Sequence, residues 1–276
     1  MKYMAKIGIL FRNKLGIRKL MKRLTVVVIS ILIGTMTLQA QDNLHFSVDR
    51  PGISDYPTII PKGNLQIEAG LEYYQREDHR SIFLPTILLR TAITKGVEVR
   101  FTNRLVRVDS AVDNPDDKLY YFGALDVKAL LIRERGWIPA ISALVGYSIT
   151  PETTRKLKGP IWGNYALLLL ENNLHDKVLF NYNFGITWNG YSSSVSTMYS
   201  FCFEIELSPK AAVFIEQSTF FHEVEKNDNW INAGYTHLIA RHSQIDFSAG
   251  TNMNRGEQDF FVALGYSTRL RFNKEK

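Results

Sequence analysis

From residue 65 onward, apolar side chains recur at every second position. This is the period of a strand with one apolar and one polar face. Over 177–188, Val178, Phe180, Tyr182, Phe184, Ile186 and Trp188 share one face, and Asn181, Asn183, Gly185 and Thr187 the other. Over 199–207, Tyr199, Phe201, Phe203, Ile205 and Leu207 alternate with Ser200, Cys202, Glu204 and Glu206. Ile245, Phe247 and Ala249 alternate with Gln244, Asp246, Ser248 and Gly250. The C-terminal stretch sets Phe260, Val262, Leu264, Tyr266, Thr268, Leu270 and Phe272 against Gly265, Ser267, Arg269 and Arg271. No amphipathic helical stripe of useful length interrupts the pattern.

The same test predicts about twelve strands, over 65–75, 81–93, 97–107, 119–132, 138–149, 162–173, 178–188, 197–207, 211–221, 229–238, 244–251 and 259–272. Most match the ~9–11 residues with which a tilted strand crosses a bilayer, and exceed the ~5–6 usual in soluble sheets. In 162–173 the apolar run Leu167-Leu168-Leu169-Leu170 leaves the inward parity open.

The connections alternate too. After even-numbered strands they are short (94–96, 133–137, 174–177, 208–210, 239–243). After odd-numbered strands they are mostly longer and polar (76–80, 108–118, 150–161, 189–196, 222–228, 252–258). Short turns on one side, long loops on the other and both termini on the short side describe an even-stranded outer-membrane barrel. The fold expected is all-β, a closed up-and-down antiparallel transmembrane barrel. The apolar face points to lipid, because a closed sheet pairs its own backbone and hydrocarbon accepts only apolar side chains. Aromatics near strand ends would form interface girdles. The alternative, a soluble lipocalin-like barrel, usually has eight strands.

Composition then excludes other classes. The 276 residues are 22% charged and 45% apolar, with one cysteine, so collagen-like, disordered and disulfide-stapled classes fall away. Mean hydropathy is −0.11, which argues against a polytopic helical membrane protein. The 33 Lys and Arg against 27 Asp and Glu give +6, which would ordinarily suggest nucleic acid. Eight of those cations lie in residues 1–40, with no acid, followed by the apolar run 24–38 and then Gln39-Ala40. That order is a cleaved signal peptide; Met21 is an alternative start. The rest carries 25 cations against 27 acids, or −2. No nucleic-acid partner is expected. Domains are expected at 1–40 (signal peptide), 41–64 (periplasmic segment and candidate plug) and 65–272 (barrel).

Several motifs resemble a known family. Asp49-Arg50-Pro51-Gly52, Pro61-Lys62-Gly63 and Gln66-Ile67-Glu68-Ala69-Gly70 resemble the opening of a family of outer-membrane transporters named for the meta-cleavage pathway of phenol degradation. Leu88-Leu89-Arg90 and Val97-Glu98-Val99-Arg100 fit its next two strands. Gln244-Ile245-Asp246 and the ending over 260–269 resemble its last hairpin. Thr91-Ala92 departs from the aromatic-Gly pair common there. The resemblance implies an outer-membrane barrel and suggests passage of small solutes, hydrophobic or aromatic ones among them.

Inward parity gathers Glu68, Arg90, Glu98, Arg100 and Arg104 on the first three strands, and Asp126, Lys128, Glu204, Glu206, Glu216, Asp246 and Arg269 beyond. These could line a polar lumen and bias solute passage, or pair across strands and fill it. Asp49, Arg50, Pro51 and Gly52 lie in a turn-like segment charged enough to dock on that cluster. No catalytic motif is evident. Ser192-Ser193-Ser194 has no His and acid partner in sight, and His222-Glu223 reads as surface loop. No metal site and no cofactor are expected. Arg155-Lys156-Leu157-Lys158 could touch lipopolysaccharide or stand as a solvated loop. The partners expected are outer-membrane lipid and lipopolysaccharide, a small-molecule solute and the barrel assembly machinery. The leading expectation is a channel or transporter. A structural barrel with a closed lumen and an outer-membrane hydrolase are the alternatives.

Overall fold

The computed structural model describes residues 46–76, 79–110, 118–150, 161–188, 195–223, 226–254 and 259–272. The expected signal peptide and the 155–158 basic patch lie outside these residues. Twelve strands follow one another: β1 (Asn64–Gln75), β2 (His79–Thr94), β3 (Val97–Ser110), β4 (Lys118–Ile132), β5 (Ala140–Thr150), β6 (Ile161–His175), β7 (Val178–Trp188), β8 (Ser196–Ser208), β9 (Ala211–Phe221), β10 (Asp228–Ala240), β11 (Ser243–Asn252) and β12 (Phe260–Arg271). Each pairs with its sequence neighbours, and β1 closes on β12, so the sheet is a closed barrel. Every pairing is antiparallel, and the closing seam runs from Asn64↔Arg271 to Gln75↔Phe260. Closure leaves no sheet edge unpaired, which a lipid environment requires.

Most strand ends fall within one or two residues of the alternation pattern, and β3 runs three residues further, to Ser110; two of the differences have a clear local cause. The β1–β2 connection is three residues, 76–78, rather than the longer loop expected. The ladder continues through Gln75↔Arg80 and His79↔Ser110. His79 and Arg80 are polar, so they gave no apolar signal of that extension. The fifth strand starts at Ala140 rather than at 138, because Ile138 instead bridges back to Arg135 around Gly136 at φ 60. Only glycine adopts that left-handed turn conformation without strain.

Burial inverts the order of a soluble protein. Leu71, Leu125, Ile215, Phe247 and Leu264 are exposed on the outside, whereas Gln66, Glu68, Arg90, Glu98 and Lys128 are fully buried inside. The outward belt is the surface hydrocarbon covers, and the interior is polar. The open parity of β6 is settled: Leu169 and Glu171 are buried, and Trp162 and Leu168 face out.

Residues 46–63 are not part of the wall. Phe46, Val48, Ser54 and Ile60 are buried, and side chains from β1 to β11 contact the segment. The chain enters from the short-turn end, rises to Ile53 among side chains of the loop end, and returns to Gly63, whose carbonyl accepts from the Phe272 N–H.

Candidate functional site

The register of the ladder places the inward charges level with one another. Arg269 on β12 is paired with Gln66 on β1, Gln66 with Arg90 on β2, Arg90 with Arg100 on β3, and Arg100 with Asp126 on β4. One step nearer the short turns, Glu98 stands opposite Lys128. Alternation makes these residues face inward, and the register set with the short turns makes them level. Arg90 is the centre. Its Nε donates to Glu98 at 2.7 Å and its Nη1 to Glu68 at 2.9 Å, while Nη2 donates to the Thr58 carbonyl at 3.2 Å. Arg269 Nε donates to Gln66 Oε1 at 2.8 Å, and its guanidinium lies 5.0 Å over the Phe46 ring. Tyr165 reaches across Gly146 to donate to Asp126, and a Cβ on Gly146 would collide with both partners.

The Asp-Arg-Pro-Gly segment docks on this array by opposite charges. The Asp49 carboxylate lies 3.0 Å from Arg90, 3.3 Å from Arg100 and 3.3 Å from Lys128, and its other oxygen accepts from the Tyr56 N–H at 3.0 Å. Burial pushes the Asp49 carboxyl up, but Arg90, Lys128 and Arg100 together outweigh it and hold the group well below the usual carboxylate range. Arg50 points the other way, 2.8 Å from Glu72 and 3.8 Å from Asp246. It lies over Gly70, where an added Cβ would collide with its guanidinium. The Arg50–Pro51 peptide bond is cis. Beyond Gly52 the Ile53 and Ser54 N–H groups donate to Glu216, at 2.8 and 2.6 Å.

The descending half is held similarly. The Tyr56 hydroxyl donates to Glu204 at 2.5 Å. Burial, then the charge of Glu204, raises the Tyr56 phenol well above its ordinary value, so it stays a neutral donor. Lys128 donates to the Tyr56 carbonyl, Ser142 to that of Pro57 and Asn181 to that of Asp55; the Ile60 N–H donates to Glu98.

Of the residues singled out by parity, Glu68, Arg90, Glu98, Arg100, Asp126, Lys128, Glu216, Asp246 and Arg269 are buried inside the barrel. Arg104 is half-buried toward the loop end, Glu204 is half-buried, and Glu206 is exposed near the short turns. Two groups escaped the sequence reading. Tyr74, Trp230 and Phe261 pack in the lumen at the loop end, with ring centroids 5.2–5.9 Å apart, and Ile53 and Phe220 join them. The signal was available in the doublets Tyr73-Tyr74, Phe220-Phe221 and Phe260-Phe261, because adjacent residues of a strand face opposite sides. The second group surrounds His222, which lies in the β9–β10 connection as expected. Ser196 Oγ lies 3.0 Å from His222 Nδ1, and His222 Nε2 is 3.7 Å from Asp228. Chain distance hid this trio, since 26 residues separate Ser196 from His222. Among the described residues, no group of three or more His, Cys, Asp or Glu could hold a metal ion.

A closed twelve-stranded sheet with an apolar exterior and a charged, segment-filled interior defines a β-barrel of the bacterial outer-membrane class. Residues 48–270 match the family described as "Putative MetA-pathway of phenol degradation", and the chain belongs to it. The fold is similar to that of an outer-membrane channel of the COG4313 group from Pseudomonas putida F1 (13% identity, TM-score 0.58), with 80% of this chain and 99% of that one aligned. It is also similar to the NanC porin (7%, TM-score 0.53, 74% and 100% covered) and to the KdgM porin (8%, TM-score 0.52, 74% and 98%). At these identities the likeness is one of fold. No curated protein matches the chain.

Proposed function

We propose that the protein is a channel for small solutes across the outer membrane, gated by residues 46–63. The observation that carries this reading is how the segment is held. It contacts the wall mainly through ion pairs and hydrogen bonds, to groups that water could satisfy equally well if the segment left. A lumen meant to stay shut is more stably filled by apolar side chains, since a buried ion pair is weak evidence for stability. The inward charges Glu68, Arg90, Glu98, Arg100, Asp126, Lys128, Glu216, Asp246 and Arg269 then serve twice, as docking sites for the segment and as the lining of the opened path. Small hydrophobic or aromatic solutes suit the loop end, where Tyr74, Trp230 and Phe261 pack against Ile53 of the segment and would border the path once it moves. The test is single-channel conductance and liposome flux of the full chain against a variant lacking 46–63. A large rise on deletion is expected. Equal, negligible conductance in both would favour the closed structural barrel.

A second reading, a hydrolase at the loop-end rim, has the Ser196–His222–Asp228 trio in its favour. Asp228 is already bonded to the Asn252 amide at 2.8 Å, and its 3.7 Å separation from His222 exceeds a hydrogen bond. Turnover of a lipid or ester panel that Ser196→Ala abolishes would establish it.

A further inference from the structure

Below the raised part of the segment, the barrel holds a cavity of about 680 Å³ that neither the docking contacts nor the aromatic group accounts for. It extends to the short-turn rim, since Glu134, Pro209, Lys210 and Arg241 border it. Its lining mixes two chemistries. Carboxylates of Glu134, Glu171, Glu204 and Glu206 alternate round its wall with Leu179, Phe214 and Leu238, since Glu204 is paired with Leu179 on one side and Phe214 on the other, and Phe46 and Val48 of the segment complete the lining.

The acids are not equivalent. Glu204 accepts from the Tyr56 hydroxyl, and Glu134 from the Asn173 backbone and side-chain amides. Glu216 is taken by Ile53, Ser54 and Asn232. Glu171 differs. Its residue is only 9% exposed, it borders the cavity, and among the described residues neither a hydrogen bond nor an ion pair reaches its carboxylate. Its cross-strand partners are Ala140 and Asn181, so no cation stands opposite it in the ladder. Lys128 is committed to Asp49 and Glu98. A carboxylate so placed is costly unless something cationic joins it.

We propose that this cavity is a binding subsite for an organic cation with an apolar body, an arylalkyl- or alkylammonium, whose ammonium is held by Glu171 and whose body lies against Val48, Leu179 and Phe214. A bare metal ion does not suit it, because the acids do not converge into a set of ligands. The volume is ample for a small amine. The proposal depends on the channel reading only for its use in passage; binding itself is read without flux.

The test is calorimetric titration of the detergent-purified full chain with phenethylammonium, with uncharged 2-phenylethanol and Mg²⁺ as comparisons. Saturable binding of the amine is expected, with the alcohol weaker by about tenfold or more, the worth of a charge-assisted hydrogen bond. Glu171→Gln should weaken the amine to the level of the alcohol. Leu179→Lys, which places a tethered ammonium on the cavity wall between Glu204 and the strand that carries Glu171 without removing any acid, should abolish amine binding. Heat-modifiable gel mobility identifies folded variants. Equal affinity for amine and alcohol, amine binding untouched in both folded variants, full competition by Mg²⁺, or no binding would each overturn the proposal. Binding without conductance would leave it standing and sink the channel reading instead.

Discussion

Asp49 is the residue on which most of the docking converges, and substituting it isolates the role of its charge. In Asp49→Asn the amide keeps the shape, but Arg90, Arg100 and Lys128 lose a shared counter-ion. Removing one partner of a buried ionic cluster typically costs ~3–5 kcal/mol. The Tyr56 N–H, which donates to Asp49, should then exchange with deuterium about tenfold faster or more, and the strands should stay protected. Unchanged exchange at Tyr56 would mean that the charges do not hold the segment. The sign with pH follows from the lowered carboxyl. Its contribution is complete above about pH 4, the ordinary carboxylate range, and is lost as the pH falls through the lower folded value. Neutral-range pH change should therefore not release the segment through Asp49. Gly70 gives a second residue-scale prediction. Gly70→Ala places a methyl where the Arg50 guanidinium lies, so Arg50 must leave Glu72, and exchange at Ile53 and Ser54 should rise although no charge has changed.

At the scale of the strand, the alternation that suggested the barrel also says where it tolerates charge. Leu264 is 61% exposed at mid-β12, between Leu71 of β1 and Phe247 of β11. Leu264→Arg should cost ~2–4 kcal/mol if it sits at the bilayer midplane, read as a lower urea midpoint in lipid vesicles. Ala263→Ser, one residue away and facing the lumen, should cost little. Equal tolerance at both positions would contradict the lipid-facing assignment. Strand number, order and most inward positions were legible because period-2 alternation is a local signal repeated twelve times. The β2 extension was not, since His79 and Arg80 are polar on either face. The parity of β6 was not, since four consecutive leucines satisfy both phases; only its register against Asn181 and Asn183 on β7 decides it. The inward members of the aromatic doublets were not legible for the opposite reason, since aromatics near strand ends are expected at the lipid interface and their apolar character does not mark a lumen position.

The molecule as a whole couples a rigid wall to a segment whose contacts are nearly all long-range in sequence, which is why the sequence could suggest docking but not its geometry. Charge complementarity named Asp49 and Arg50; it could not show that Glu216, 162 residues from Ser54, would receive two backbone N–H groups. That geometry permits a test of gating without deleting anything. The Ser54 and Ser200 hydroxyl oxygens are 2.8 Å apart, one on the segment and one on the wall, so a cysteine at each can form a disulfide with little movement. Cys202 lies two residues along β8 and is buried, so it is replaced by serine in the same variant to keep pairing unambiguous. In Ser54→Cys/Ser200→Cys/Cys202→Ser, oxidation should hold conductance at its lowest level, and reduction should restore that of the unlinked chain. If oxidised and reduced protein conduct alike and the deletion of 46–63 still opens the pore, the segment fills the lumen without serving as its moving part. If the disulfide alone removes the openings, release of the segment from Ser200 is the step that admits solute.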